Sequence, residues 1–234
     1  NDTYVLMGTG PVLAPVHSVR CDDSDGELVD PFAGDATAIF DAVEWRLVLR
    51  APDEALALRF KYVFFSAEYD EYISSPFNDK FYAVLEAGST DEGNPTVINF
   101  TECREPDVYY DFECQPQDPG CQAGERYCYI AINSALSECC WYPAEGPSCP
   151  DGFFTSDIGG TGFACAGGED ADGAEHGSST GWLQTTWPIA GGEVLRLTFH
   201  LHDTNDGLFD SAVVLDGFQF LVEPTDGSGT VVVE

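Results

Sequence analysis

Eight separate runs rich in Val, Ile, Leu, Phe and Tyr, each bounded by Gly, Pro, Asn or Asp, leave this chain little choice but β structure. They cover residues 43–50, 57–65, 81–87, 96–100, 127–132, 182–187, 194–202 and 212–222. Successive side chains of a strand point to opposite faces. In the seventh run Leu195, Leu197, Phe199 and Leu201 therefore share one face, and Arg196, Thr198, His200 and His202 the other. That pattern buries one face in a core. Pro52-Asp53-Glu54 and Ala190-Gly191-Gly192 read as turns, and residues 35–42 as one short helix. A chain of 234 residues, 44% of them hydrophobic, fits one large β domain. The fold expected is all-β, a jelly-roll-type β-sandwich.

Two of these strands empty into turns crowded with oxygen donors. The first is Phe64-Phe65-Ser66-Ala67-Glu68-Tyr69-Asp70-Glu71-Tyr72, followed by Phe77-Asn78-Asp79. The second is His202-Asp203-Thr204-Asn205-Asp206-Gly207-Leu208-Phe209-Asp210-Ser211. Carboxylates packed together repel one another unless a hard cation sits among them, and Ca²⁺ takes roughly six to eight such oxygens. Glu68, Asn78, Asp79, Asp203, Asp206 and Asp210 are thus the expected ligands of one Ca²⁺ site. The spacing is not that of an EF-hand. The plainer reading is a pair of polar hairpins with Asx turns.

The charge narrows the partners. With 41 acidic against 9 basic residues the formal net charge is −32, which repels nucleic acid and anionic membranes. No run is long enough to insert into a membrane. Nine cysteines without paired zinc-type spacing point to disulfides in an oxidising compartment. Eight of them, Cys103, Cys114, Cys121, Cys128, Cys139, Cys140, Cys149 and Cys165, fall within residues 102–175, and Cys21 stands apart. That stretch reads as a long disulfide-rich insertion with its pairing open. Adjacent Cys139 and Cys140 reach different partners, and the odd total leaves one thiol free or bonded to another chain. The start at Asn1 is read as that of a processed secreted protein, and Asn1-Asp2-Thr3 and Asn99-Phe100-Thr101 match the glycosylation sequon.

The same two turns resemble the choice-of-anchor L domain of secreted bacterial proteins, common in myxobacteria and their relatives. Phe64, Ser66, Glu68, Tyr69, Glu71, Tyr72, Phe77, Asn78, Asp79 and Phe81 match its first motif. Asp203, Asp206, Asp210, Ser211, Val213, Leu215 and Asp216 match its second, and 181–186 resembles its approach to the last strand pair. The likeness spans residues 35–222 and departs at Ala67, where Glu is usual, and at His202, where an aromatic is usual. It implies a jelly-roll β-sandwich on secreted or surface-anchored proteins, with no established reaction.

Other chemistry is thinner. His200 and His202, two apart beside Asp203, have a spacing that a transition metal accepts, but a solvated strand face is the simpler account. His17 and His176 have no evident partner. Glu68 with Asp79, or Asp203 with Asp210, can be cast as a glycosidase acid–base pair, as can acids in any such acidic chain. Trp141, Trp182 and Trp187 can be cast as a sugar platform, though core packing is the default. No nucleophile elbow, phosphate loop or zinc-protease motif occurs. The expected division is 1–20 as an N-terminal extension, 21–223 as the sandwich and 224–234 as a C-terminal strand. The expected protein is extracellular or at the cell surface, a Ca²⁺-stabilised structural or adhesive domain and not an enzyme. It self-associates through terminal strands, conceivably as a filament subunit, or contacts a surface partner. The alternative is a carbohydrate-binding module. Each apolar end, with Tyr4-Val5-Leu6-Met7 at one and Val231-Val232-Val233 at the other, pairs either with its own sheet or with a neighbour's.

Overall fold

The computed structural model describes residues 4–10, 28–32, 37–68, 75–103, 109–131, 134, 138–139, 178–207, 209–225 and 228–233. In chain order the strands are β1 (Val5–Gly8), β2 (Leu28–Val29), β3 (Ala38–Arg50), β4 (Ala57–Ser66), β5 (Lys80–Glu86), β6 (Thr96–Val97), β7 (Phe100–Glu102) and β8 (Phe112–Glu113). They continue as β9 (Arg126–Ala131), β10 (Glu138–Cys139), β11 (Ser178–Ser179), β12 (Leu183–Pro188), β13 (Val194–Thr204), β14 (Ser211–Leu221) and β15 (Gly229–Val232). The one helical piece among the described residues is a 3₁₀ turn at Asp91–Gly93.

The strands form two antiparallel sheets. The first runs β1-β14-β4-β11-β10, with β12 pairing both β4 and β15. The second runs β2-β3-β13-β5-β9-β7, with β6 on β5 and β8 on β9. Strands β3, β4, β5 and then β12, β13, β14 alternate between the sheets, so their connections cross the ends of the core, the winding of a jelly roll. The all-β sandwich expected from the turn-bounded runs is the fold observed.

The core follows the alternation. Leu195, Leu197, Phe199 and Leu201 of β13 face Leu58, Phe60, Tyr62 and Phe64 of β4 across a single apolar cluster. Phe60 meets Phe199 edge-on at 5.1 Å, and Tyr62 lies 5.1 Å from Phe81, so aromatic rings join the two sheets. Trp187, 1% exposed, donates its indole N–H to Thr90. It is a core residue and cannot serve a sugar platform; Trp182 is half-buried, and Trp141 lies outside the described residues.

Three local expectations are corrected. Ala38 to Ala42 belong to β3 rather than to a helix, because Leu28–Val29 and the end of β13 both supply pairing partners there. A bulge opposite His202, with Asp41 at φ 49°, absorbs the extra β3 residue. Asn99 is fully buried, its side chain accepting from Ala83 N–H and donating to the Phe81 carbonyl, so that sequon is closed to glycosylation in the folded protein. His200 and His202 are buried, not solvated, because Asp30, Phe32 and the Tyr109–Asp111 segment contact their sheet face.

Within the insertion, β7, β8 and β9 extend the second sheet and Cys103–Cys128 and Cys114–Cys121 are disulfides. Cys21, Cys140, Cys149 and Cys165 lie outside the described residues, as does the side chain of Cys139. Both chain ends pair inside their own chain: β1 lies along β14, and β15 along β12.

Candidate cation site

At one end of the sandwich the inward-facing row of every central strand changes from hydrocarbon to oxygen. In β4 the row reads Phe60, Tyr62, Phe64, Ser66 and then Glu68; in β14 it reads Leu215, Val213, Ser211. In the facing sheet Leu201 of β13 is followed by Asp203, and Phe81 of β5 is preceded by Asp79. Register brings these ends together. Ser211 pairs with Ser66 across the first sheet, and Asp203 and Asp79 continue the Leu201–Phe81 row across the second. Alternation in four strands thus delivers the carboxylates to the mouth of the core.

The cluster is buried. Glu68 is 2% exposed, Asp79 0%, Asp203 1% and Asp210 3%. Asp79 is the anchored member: Ser211 Oγ donates to its Oδ2 at 2.7 Å and Thr204 N–H to its Oδ1 at 3.0 Å. Glu68 N–H donates to Ser66 Oγ at 3.1 Å, and Ala67 N–H to the Asp210 carbonyl at 3.1 Å, which fixes the two turns against each other. The Thr204 hydroxyl donates to the Asn78 carbonyl, and the Asn205 amide, at φ 69°, donates to the Pro76 carbonyl. The loop backbones are held. Among the described residues, both oxygens of Asp203 and Oε2 of Glu68, in contrast, have no hydrogen-bond partner.

Burial first, then mutual repulsion, pushes these acids up. Glu68 lies well above the usual carboxylate range, from burial and from Asp79 and Asp206; Asp203 does so from burial and from Asp79, Glu68 and Asp210. Burial raises Asp79 to about 7 despite its bonds to Ser211 and Thr204. Among the described residues no ion pair joins Lys or Arg to Glu68, Asp79 or Asp203. Carboxylates so placed hold either shared protons or a cation. The donors are all oxygen: Glu68, Asp79, Asp203, Asp206 and Asp210, with the Ser66, Ser211 and Thr9 hydroxyls beside them. Oxygen donors are the kind that hard cations take.

Of the six expected ligands, Glu68, Asp79, Asp203 and Asp210 are buried at this end of the core and feel one another's charge, with Asp206 half-buried at the edge beside Glu68, but their ligand oxygens are not gathered as closely as a bound ion would draw them. Asn78 is the exception. Alternation places it on the outer face with Lys80 and Tyr82, and its amide donates to Tyr109 at 2.9 Å. The motif residue Asp216 is exposed, paired with Lys61 just before a β14 bulge, and takes no part. Ser66, Ser211 and Thr9 were missed, although their inward position follows from the same alternation.

A second buried polar group lies on the outer face of the second sheet. Lys80 Nζ sits 3.5 Å from Asp30 and 3.2 Å from Asp111. Tyr82 donates to Asp30 at 2.7 Å, and Tyr109 to Asp111 at 2.8 Å. His200 bridges Glu44 at 3.1 Å and His202 at 3.0 Å. Burial first, then His200, lowers His202 to about 3, so it is neutral. Burial alone would raise Asp30, yet Lys80 and the Tyr82 bond bring it below the ordinary value. The histidines here belong to a structural network centred on an internal lysine. Asp118 stands close to Cys114 and Cys121, but those sulfurs are bonded to each other and offer no thiolate to a metal.

No protein-family model, curated protein or solved structure matches this chain.

Proposed function

We propose that this chain is a Ca²⁺-stabilised β-sandwich from an extracellular structural or adhesive protein, a binding domain rather than a catalyst. The observation that carries the reading is Asp203, a buried carboxylate whose two oxygens have no hydrogen-bond partner within ordinary bonding distance among the described residues and which feels the charge of Asp79, Glu68 and Asp210. An isolated charge in such a place is costly, and a cation removes the cost by giving the oxygens a partner. The two disulfides and the net charge of −32 favour an oxidising, saline or divalent-rich setting. The resemblance to choice-of-anchor L domains supports a surface role. Self-association remains part of the proposal, through strand addition at the edge of β15, where Val231 and Val232 are exposed.

Isothermal calorimetry of the metal-free protein with Ca²⁺, followed by sedimentation with and without the ion, tests both parts. Saturable binding that Asp203→Ala removes supports the cation site; a strict monomer in Ca²⁺ and high salt rejects self-association.

One observation favours the carbohydrate-binding alternative. Tyr4, Trp45 and Phe218, all partly exposed, border a groove of about 260 Å³ floored by Phe60 and Phe199, with Asp216 at its edge. Trp45 stacks on Phe199 at 5.7 Å, which fixes its ring. A glycan array repeated with Trp45→Ala tests this; no hits for the parent protein would remove it.

A further inference from the structure

We propose that the N-terminal strand β1 is one wall of the cation site, so that cation binding and the docking of β1 on β14 are a single equilibrium. The inference rests on the cation reading above and goes beyond it by assigning Thr9 and Gly10 to the site.

Register supplies the first argument. Val5 pairs with Leu215 and Gly8 with Ala212, so the inward row of β1 reads Val5, Met7, Thr9. It changes from apolar to hydroxyl at the same level as the rows of β4, β5, β13 and β14. Thr9 is bonded to Ser211 three ways: its N–H donates to the Ser211 carbonyl at 3.0 Å, its hydroxyl accepts from Ser211 N–H at 2.9 Å, and it donates to the same carbonyl at 3.4 Å. Ser211 in turn donates its hydroxyl to Asp79. Two residues, Thr9 and Ser211, therefore connect β1 to the anchored carboxylate.

Close packing supplies the second. Gly10 lies flush against the carboxyl group of Asp210, and a Cβ at position 10 would overlap it. Bare backbone at Gly10 therefore lies directly against the buried Asp210 carboxyl group, so that movement of either is felt by the other. Among the described residues β1 holds to the rest of the chain through four residue pairs, the buried Met7, Val5 against the main core, and Leu6 packed against Val63, Phe65, Ala67 and Ala212. With a cation in place the carboxylates draw inward, and Thr9–Gly10 close over them. Without it, repulsion among Asp79, Asp203 and Asp210 works against a docked end that is only four residues long.

The test is hydrogen exchange on the full chain in saturating Ca²⁺ and in chelator, paired with Ca²⁺ calorimetry. The expected result is that Ca²⁺ slows exchange in β1 and in the facing half of β14 by at least about tenfold more than in β15, another edge strand of that sheet. Gly10→Ala should weaken Ca²⁺ binding by about tenfold or more, as loss of a supporting partner does. Gly88→Ala, whose methyl meets only an ordinary 3.7 Å contact with Glu193, should leave it unchanged. If Gly10→Ala does not fold, Thr9→Val carries the same expectation. Normal Ca²⁺ binding with equal protection of β1 and β15, or by a folded Gly10→Ala protein, overturns the coupling and leaves the cation site standing. No Ca²⁺ binding by the parent protein overturns both.

Discussion

The two faces of the second sheet carry two buried acidic clusters, one residue apart along the same strands. On β5, Asp79 turns inward and Lys80 outward; on β13, Asp203 turns inward and His202 outward. The outward set therefore receives a lysine, and Asp30 and Asp111 are neutralised and hydrogen-bonded by Lys80, Tyr82 and Tyr109. Among the described residues, no Lys or Arg pairs with Glu68, Asp79 or Asp203 of the inward set. Period-two alternation sorted the charges, and it left one face neutralised from within and the other as the place where we propose an outside cation. Burial is common to both clusters; the presence of an internal base separates them.

Breaking the self-sufficient side should have the largest effect. Lys80→Met leaves Asp30 and Asp111 buried without their cation, and losing one partner of a buried ion pair costs about 3–5 kcal/mol. Urea unfolding should show that loss equally with Ca²⁺ and with chelator. A Ca²⁺-dependent loss would mean that the two clusters are one system.

The inward side should respond to pH when no cation is bound. Glu68, Asp79 and Asp203 titrate higher in the folded protein than in the unfolded chain, whose carboxyl groups titrate near about 4. Between that value and about 7 for Asp79, the folded state holds more protons. Stability of the metal-free protein should therefore fall as pH rises through this window, the reverse of a salt-bridged carboxylate. Saturating Ca²⁺ should remove the fall, because the ion replaces the protons. Thermal melts across that range, with and without Ca²⁺, check the sign.

Smaller changes sharpen the contrast. Ser211→Ala removes the hydroxyl from Asp79 Oδ2, a bond to a charged acceptor contributing about 1.5–3 kcal/mol, and the loss should be greater in Ca²⁺ than in acid, where Asp79 is protonated. Glu44→Gln, at the half-exposed rim beside His200, should cost under about 1 kcal/mol and be indifferent to Ca²⁺.

Most of the fold is legible in the sequence because its strands are bounded by turn-forming residues and their inward faces are cleanly apolar. That Glu68, Asp79, Asp203, Asp206 and Asp210 lie at the same end of the core is legible for a related reason: each lies at or just beyond the end of a recognisable strand. Asn78 misleads because it neighbours Asp79 in sequence while facing the opposite way. The outer network escapes notice because Asp30 and Asp111 come from segments without a strand-like pattern, and only tertiary packing brings them over Tyr82 and His202. The reading of 35–42 as a helix fails because pairing with β2 and β13 overrides local preference.

The central claim is that the inward carboxylates are completed by Ca²⁺. Its most direct test is the melting curve of the full chain in saturating Ca²⁺ against chelator near neutral pH, with Asp203→Ala alongside. A ligand bound only by the native state adds roughly 3–4 kcal/mol at about 100–1,000 times its Kd. The account predicts a clear rise in melting temperature for the parent protein and none for Asp203→Ala. Superimposable parent curves in Ca²⁺ and chelator would contradict it, and would leave shared protons as what holds these acids together.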